Sequence, residues 1–164
     1  MSPITIRFAT IEDVSTIQQI AFSTWPVAYS AILAKEQLEY MLEMFYSKDS
    51  LINQLLHEHT FLLAIKNDTC IGFASFNLID NQTYKLQKLY VLPSTQKTGA
   101  GKILLEEVCK MVKNLGAIKL QLNVNRHNAA IEFYKRMGFE IIKEDDINIG
   151  RNYFMNDYVM EKKI

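Results

Sequence analysis

The sequence predicts an α/β fold with a mixed β-sheet, of the kind also found in α+β proteins. Its 164 residues are 49% hydrophobic and 22% charged, which is the balance of an ordinary globular chain. Apolar residues recur at helical spacing in some segments and alternate in others, so both element types are expected. The predicted order is β-α-α-α-β-β-β-α-β-α-β-β, in which hairpin-linked strands precede a strand–helix–strand crossover. No repeat or linker interrupts this order, and we therefore expect one domain over residues 1–164.

The chain is predicted to begin with a strand that leads directly into a helix. Residues 4–8 alternate apolar and polar side chains, which is typical of a half-buried strand. Thr10 and Asp13 have the spacing of a capping box and mark the helix start. The pair Trp25-Pro26 predicts a break, because the residue before a proline is disfavoured in helical geometry.

A helical region and a hairpin come next. Residues 34–59 have apolar positions at helical spacing, and Ser47 fits an N-cap between two helical pieces. Residues 61–66 and 70–79 read as strands, because they are rich in apolar and β-branched side chains. The turn pair Asn67-Asp68 between them predicts a hairpin.

The second half contains one long amphipathic helix among shorter elements. Residues 84–92 form a strand that Pro93 ends. Apolar residues at helical spacing between 103 and 115, with Gly116 after them, predict a helix with a glycine cap. The remaining predicted elements are a strand over 117–124, a helix over 128–137, and strands over 139–149 and 154–162.

Composition excludes several classes of function. Lys plus Arg and Asp plus Glu both number 18, so the formal net charge is zero, which argues against a broad electrostatic grip on nucleic acid. The longest apolar run has five residues, whereas a membrane span needs about 20. The first residues lack a leader pattern, and we expect a cytoplasmic protein.

Cys70 and Cys109 lie far apart and are expected to be reduced, buried thiols. The three histidines lack ligand-like spacing, so we predict no metal site.

A glycine-containing loop is the main chemical signal. The loop follows the strand at 84–92, opens the long helix, and reads Gln96-Lys97-Thr98-Gly99-Ala100-Gly101-Lys102. Two glycines two positions apart allow close approach of the backbone, and the first N–H groups of a helix favour an anion such as a phosphate or pyrophosphate. Neither a P-loop nor a dinucleotide fingerprint is present. A turn that only caps the helix is the alternative interpretation.

Two motifs together resemble those of the GCN5-related N-acetyltransferases. Gln96, Gly99 and Gly101 match the pyrophosphate motif of that family, and the strand before them is similar to its central strand. A second motif runs from Asn123 to Phe139; Asn128 opens a helix within it, and Phe-Tyr-x-x-x-Gly-Phe closes it. The resemblance spans residues 84–139. It implies a mainly antiparallel central sheet that splays at a bulged central strand, flanked by helices.

The resemblance also implies acetyl-CoA as co-substrate and assigns roles to residues. The backbone N–H of Val91 would donate to the acetyl oxygen, and Tyr134 would stand beside the thioester sulfur as general acid or as a hydrogen-bond donor. The cofactor-binding residues it implies are Leu89, Tyr90, Val91, Gln96, Lys97, Thr98, Gly99, Ala100, Gly101, Lys102, Asn128 and Tyr134. Asn128 is also a good helix cap in its own right.

The acceptor is predicted only as a class. The resemblance implies direct attack by a primary amine of a small molecule, a polyamine or similar; a peptide or protein N-terminus and a CoA-binding module without transfer activity are the alternatives. Trp25, Tyr29 and Tyr153 are candidate acceptor-pocket residues, although aromatics at helical spacing more often belong to a core. The general base is not assigned, because the strand that carries a glutamate in many members of the family has none here.

Other carboxylates and the oligomeric state complete the expectations. Glu36, Glu39 and Asp157 are alternative bases, and each is interpreted as a solvated surface charge. A homodimer is expected through the apolar strand over 154–160, by strand exchange or by edge-to-edge pairing.

Overall fold

The computed structural model describes residues 3–164 and is organised around one seven-stranded β-sheet. The strands are β1 (Thr5–Phe8), β2 (Thr60–Lys66), β3 (Thr69–Asp80), β4 (Thr83–Val91), β5 (Lys119–Asn125), β6 (Glu140–Gly150) and β7 (Tyr153–Lys163). Their spatial order is β1-β2-β3-β4-β5-β7-β6. Every neighbouring pair is antiparallel except β4 and β5, which are parallel. The mixed, mainly antiparallel sheet is confirmed.

Five α-helices cover the two faces of the sheet. They are α1 (Val14–Tyr29), α2 (Lys35–Tyr46), α3 (Lys48–Asn53), α4 (Ala100–Asn114) and α5 (Ala130–Arg136). Short 3₁₀ turns lie at Ile11–Asp13 and Pro93–Thr98, and a π-helical turn at Gln54–Glu58 ends the α3 region. The order of strands and helices agrees with the order predicted from periodicity.

Alternation along the strands divides the core into two layers. On β2, Leu62 and Ala64 pack with α4 and α5, whereas Phe61 and Leu63 pack with α1, α2 and α3. Successive strand side chains point to opposite faces, which is why one strand supplies both layers. Both faces of the central strands are therefore buried.

Several local signals act as predicted. Thr10 accepts from the Glu12 N–H at 3.3 Å and donates its own N–H to Asp13 at 2.8 Å, so the capping box is present. Ser47 caps α3 by accepting from the Ser50 N–H. Asn67 has a positive φ of 52° and Asp68 one of 61°, the geometry of a tight hairpin turn.

The predicted break at Trp25-Pro26 is wrong. Helix α1 continues through Pro26 to Tyr29, and the Ser30 N–H bonds to the Pro26 carbonyl at 3.1 Å. Proline removes the bond to the carbonyl four residues earlier, that of Phe22. Phe22 and Pro26 both lie on the exposed side of α1, where water rather than the core surrounds the helix. Burial of Trp25 on the opposite side holds the helix in place.

Strand β7 lies inside the sheet, which corrects the expected edge-to-edge contact through residues 154–160. β7 pairs with β5 on one side and β6 on the other, and β6 is the edge strand at this end of the sheet. The homodimer stays a prediction. Within residues 3–164, no helix is long and apolar enough to cross a membrane.

Candidate active site

An opening between β4 and β5 splits the sheet. The two strands pair only between Thr83–Leu86 and Lys119–Leu122, and both then continue without pairing to each other. Ser75 of β3 lies opposite Lys88 and the next residue, Phe76, lies opposite Leu86, so Gln87 is an extra, bulged residue in β4. A bulge bends its strand and increases the local twist. The predicted bulge and splay are thus present.

The bulge also decides which side chains face which layer. Leu86, Leu89 and Val91 pack toward α4 and α5, whereas Lys88 and Tyr90 lie on the α1–α2 side. Without the extra residue, plain alternation would place Lys88 and Tyr90 on the same face as Leu86.

The backbone of Val91 faces the opening. The next residue, Leu92, donates its N–H to Ile71 of β3 at 2.8 Å, and N–H groups along a strand alternate between its two edges. The Val91 N–H therefore points away from β3, toward β5. The side-chain amide of Gln96 donates to the Val91 carbonyl at 3.5 Å, so the first motif contacts the end of β4 here.

The glycine loop lies at the end of β4 and leads into α4. Gly99 has φ 84°, and a Cβ built on it would have no neighbour within 4 Å. The first intrahelical bond runs from the Ile103 N–H to the Gly99 carbonyl at 3.0 Å, so the N–H groups of residues 100–102 precede it and are free for an anion. A Cβ on Gly101 would lie 3.8 Å from Val91 and from Phe133.

The loop side chains differ in their contacts. Lys97 is exposed, and Lys102 is exposed but lies 3.8 Å from Glu106. Thr98 donates to the carbonyl of Thr95 at 2.6 Å, which stabilises the turn. Ala100 is fully buried and packs in the core beneath the loop.

Asn128 and Tyr134 come from the second motif and approach the same opening. Asn128 accepts from the Ala130 N–H at 2.8 Å, as a cap, and its amide donates to the hydroxyl of Tyr29 at 3.4 Å. Tyr134 is 8% exposed and has edge contacts with Phe133 and Phe139. Burial and the nearby Tyr29 raise the pKa of Tyr134 well above its ordinary value, so its hydroxyl is protonated at neutral pH.

The α1–α2 side of the opening carries an aromatic cluster. The hydroxyls of Tyr29 and Tyr90 lie 3.0 Å apart. Trp25 is 5% exposed and contacts Tyr29 and Tyr90 at centroid distances of 4.7 and 5.8 Å. Trp25 is therefore a core residue beneath Tyr29, in line with the core interpretation of helically spaced aromatics.

Tyr153 lies in a different place from Tyr29. Its ring packs on Tyr40 at 5.4 Å. It lines a groove of about 420 Å³ together with Glu36, Glu39, Tyr40, Glu43, Met44 and Arg151. The structure thus brings Tyr29, Tyr90 and Asn128 together, but not Tyr153.

Asp157 corrects the expectation of a solvated surface charge. It lies on β7 and is only 6% exposed, whereas Glu36 and Glu39 are exposed as expected. Asn123 donates to its Oδ2 at 3.4 Å. Burial raises the pKa of Asp157 above its ordinary value. The sequence gives no sign of this burial, because Asp157 stands in a strand of alternating exposed and buried residues.

Lys88 is a second buried charge that sequence reasoning missed. It is 8% exposed, with its ammonium 5.2 Å from the centroid of the Tyr46 ring and 5.8 Å from that of Phe45. Burial lowers the pKa of Lys88 to about 8. The bulge at Gln87 turns this lysine toward α2. Among residues 3–164, no group of His, Cys, Asp or Glu is arranged to hold a metal ion.

This geometry agrees with what comparisons with known proteins show. A family model described as the acetyltransferase (GNAT) family matches residues 15–139. The chain belongs to the GNAT family. It is therefore an acetyltransferase that uses acetyl-CoA, as predicted.

Relatives of this GNAT chain match it over nearly its full length. A spermidine N(1)-acetyltransferase from Thermoplasma acidophilum is 32% identical, covering 98% of this chain and 97% of the relative. The crystal structure of the PaiA N-acetyltransferase from the same organism, in complex with coenzyme A, is 31% identical, with a TM-score of 0.85 and 99% coverage of both chains. A GCN5-related N-acetyltransferase from Rhodopseudomonas palustris is 20% identical with a TM-score of 0.85, which supports the fold alone.

Proposed function

We propose that this GNAT enzyme transfers the acetyl group to a primary amine of a polyamine or a similar small molecule, by direct attack. The observation that carries the proposal is the β4–β5 opening, which connects the glycine loop on one side with Tyr29, Tyr90 and Asp157 on the other. Hydroxyl and carboxylate oxygens suit an amine that arrives as an ammonium ion. The likeness to a spermidine N(1)-acetyltransferase supports the acceptor class.

The loop is assigned to the pyrophosphate of acetyl-CoA. The N–H groups at residues 100–102 and the left-handed Gly99 offer an anion-binding start of α4. Lys97 and Lys102 add positive charge at the rim, and Gln96 and Thr98 shape the turn. Gly101 leaves space for a ligand at the start of α4, because a side chain here would extend toward the space between Val91 and Phe133.

Val91 is assigned to the acetyl oxygen. Its N–H lacks a strand neighbour in the opening, and a preorganised backbone donor at a developing oxyanion contributes about 2.7–4 kcal/mol in mutagenesis of comparable sites. Leu89 and Val91 supply an apolar wall on the α4 side, while Tyr90 closes the opposite face. The backbone of β4 thus aligns the thioester along its unpaired edge.

Tyr134 is assigned to the leaving sulfur. Because burial raises its pKa, Tyr134 holds its proton firmly and acts as a hydrogen-bond donor to the thiolate, with full transfer weakly driven. Asn128, beside the same opening, is assigned to the amides of the pantetheine arm. Its Oδ1 caps α5, whereas its Nδ2 donates to the Tyr29 hydroxyl and can donate to the ligand instead.

Direct attack agrees with the state of the thiols. Burial raises the pKa of Cys70 and of Cys109, so neither is a thiolate at neutral pH, and a nucleophilic cysteine acts as the thiolate. Neither residue lies on β4, in the loop or on α5. An acyl-enzyme on cysteine is therefore disfavoured.

The test is acetyl-CoA-dependent thiol release across a panel of amines. Spermidine, spermine, an aminoglycoside, free amino acids and a short peptide are compared at equal concentration, with mass spectrometry of the products. Preferred turnover of the polyamines supports the proposal. Preferred turnover of the peptide would overturn it in favour of peptide or protein acetylation. A relative from Haemophilus influenzae that is 31% identical over 66% of this chain is named a ribosomal protein bS18-alanine N-acetyltransferase.

A further inference from the structure

We propose that Asp157 is the acceptor-side base, which binds the ammonium group of the amine and takes its first proton. This inference rests on the proposed function, since it concerns the amine that attacks the thioester. It selects one residue for a role that the sequence left unassigned among three carboxylates, each interpreted there as a surface charge.

The position of Asp157 on β7 brings it to the opening. Asp157 lies opposite Asn125 on β5, beyond Leu122, which is the last β5 residue that pairs with β4. The carboxylate therefore lies past the point where the sheet splits, on the β5–β7 side.

The face on which Asp157 lies is the acceptor face. Leu122 and Val124 of β5 are buried under α4 and α5, so Asn123 and Asn125 point to the α1–α2 side. Residues directly opposite each other in an antiparallel pair share a face, which places Asp157 on that side too. Tyr29 lies close enough that the charge of Asp157 raises its pKa.

The carboxylate is buried but incompletely satisfied. It is 94% removed from solvent, and its one hydrogen bond is the long one from Asn123 to Oδ2. No ion pair involves Asp157 within the part of the chain that the structure describes. Oδ1 accepts no hydrogen bond there, yet it is not among the sealed polar atoms. A buried carboxylate of this kind is costly unless a cation or donor completes it.

The charged groups around Asp157 leave the cation position open. Those that face it are Lys85 of β4, Tyr29 of α1, Asp145 of β6 and Arg126 after β5. Arg126 already pairs with Asp146 and Glu144. Lys85 lies beyond ion-pair distance, and Asp145, directly opposite on β6, adds a like charge. An incoming ammonium supplies the positive charge that this arrangement lacks.

Proton balance gives the base its role. The ammonium nitrogen loses two protons on becoming an amide. Asp157 takes the first and passes it to solvent, which frees the lone pair for attack on the thioester carbonyl. The nitrogen–carbon bond forms, the carbon–sulfur bond breaks, and the second nitrogen proton ends on the sulfur through the Tyr134 side of the opening.

The experiment compares Asp157→Asn and Asp157→Glu with Glu161→Gln as a matched control. Glu161 lies on the same strand and face, but it pairs with Gln121 and Lys119, where β4 and β5 are still joined. For Asp157→Asn we expect kcat/KM for the polyamine to fall at least about 100-fold, with the KM for acetyl-CoA within twofold of wild type. The acid limb of the pH profile of kcat/KM should disappear in Asp157→Asn and persist in Asp157→Glu and Glu161→Gln.

The outcomes separate this inference from the function on which it rests. If the wild type acetylates an amine and the kcat/KM of Asp157→Asn lies within threefold of the wild-type value, the assignment of Asp157 is overturned and the proposed function stands. The same holds if the acid limb is unchanged in Asp157→Asn. Absence of amine acetylation by the wild type, with CoA binding shown in the same sample, overturns the proposed function and this role together. If Asp157→Asn does not fold, Asp157→Glu decides: at least a tenfold loss of kcat/KM with the acid limb retained supports the role, and unchanged kcat/KM overturns it.

Discussion

The two sides of the β4–β5 opening are built in different ways. The side proposed for acetyl-CoA, called the cofactor side below, consists of consecutive residues. It runs from the end of β4 through the 3₁₀ turn Pro93–Thr98 to the start of α4, and it presents mainly backbone N–H groups. The side proposed for the amine, called the acceptor side below, uses side chains from three separate segments, Tyr29, Tyr90 and Asp157. One side is a local structure, whereas the other exists only after the chain has folded.

The titratable groups differ between the sides as well. On the acceptor side, burial shifts the pKa values of Tyr29, Lys85, Lys88 and Asp157. The cofactor side relies on fixed dipoles, which do not titrate. We therefore expect pH to act on amine acetylation through the acceptor side and to affect CoA binding weakly.

Apart from Asp157, the largest effect is expected at Tyr134, which lies between the two sides. Tyr134→Phe keeps the ring and its packing but removes the donor to the leaving sulfur. We expect kcat to fall about 100-fold, the lower range for general acid catalysis, with the Kd for CoA unchanged. Stopped-flow thiol release and calorimetry measure the two quantities. Tyr84→Phe, outside the opening, is the control, and equal loss in both variants would show that Tyr134 is only a core aromatic.

Two glycines of equal backbone geometry test the cofactor side. Gly99 and Gly116 flank α4, both have positive φ, and neither would place a Cβ within 4 Å of another atom. Alanine at either position costs about 1–2 kcal/mol in the left-handed region, so both variants should have lower Tm values. Only Gly99→Ala should also raise the Kd for CoA, about tenfold, in calorimetric titrations. Equal Kd values for the two variants would remove the anion-binding role of the loop.

The hydroxyl pair of Tyr29 and Tyr90 tests the acceptor side. Tyr29→Phe breaks the 3.0 Å contact with Tyr90 and the bond from Asn128. A neutral hydrogen bond contributes about 0.5–1.5 kcal/mol, so we expect a several-fold rise in KM for the amine. Tyr90→Phe and the double variant complete a cycle, and strictly additive effects would show that the two hydroxyls act independently.

The smallest effect is expected at His59, in the acceptor layer but away from the opening. Burial and the charges of Lys88 and Lys85 lower the pKa of His59 to about 4. Between pH 4 and 6.5 the unfolded chain then binds more protons at this site than the folded one, so stability decreases as pH falls through that window. Because the ring is only half buried, we expect a loss on the order of 1 kcal/mol.

Urea unfolding at pH 7 and pH 4.5 measures this difference. His59→Gln should show a smaller loss of stability between the two pH values than wild type. The exposed neighbour His57 provides the control variant His57→Gln. Equal pH dependence in His59→Gln and wild type would contradict the assignment, and in all three proteins kcat at pH 7 should be unchanged.

The sequence alone determined the order of elements, the capping residues and the glycine loop that is proposed to bind the cofactor. Periodicity, caps and the loop at 96–102 depend on neighbours within a few residues, and the hydrogen bonds of Thr10, Ser47 and Gly99 show those local rules at work. The family resemblance depended on the same short segments, and acetyl-CoA was predicted as co-substrate from that resemblance.

Only the tertiary structure decided the acceptor side. The bulge at Gln87 sets which β4 side chains face the α1–α2 side, packing of Trp25 carries α1 through Pro26, and pairing of β7 between β5 and β6 buries Asp157. Each of these three features depends on strands and helices far apart in the chain, because all the elements that surround a side chain together determine its burial. A carboxylate in an alternating strand looks the same in sequence whether it is exposed to water or buried between strands, and its tertiary neighbours make the difference.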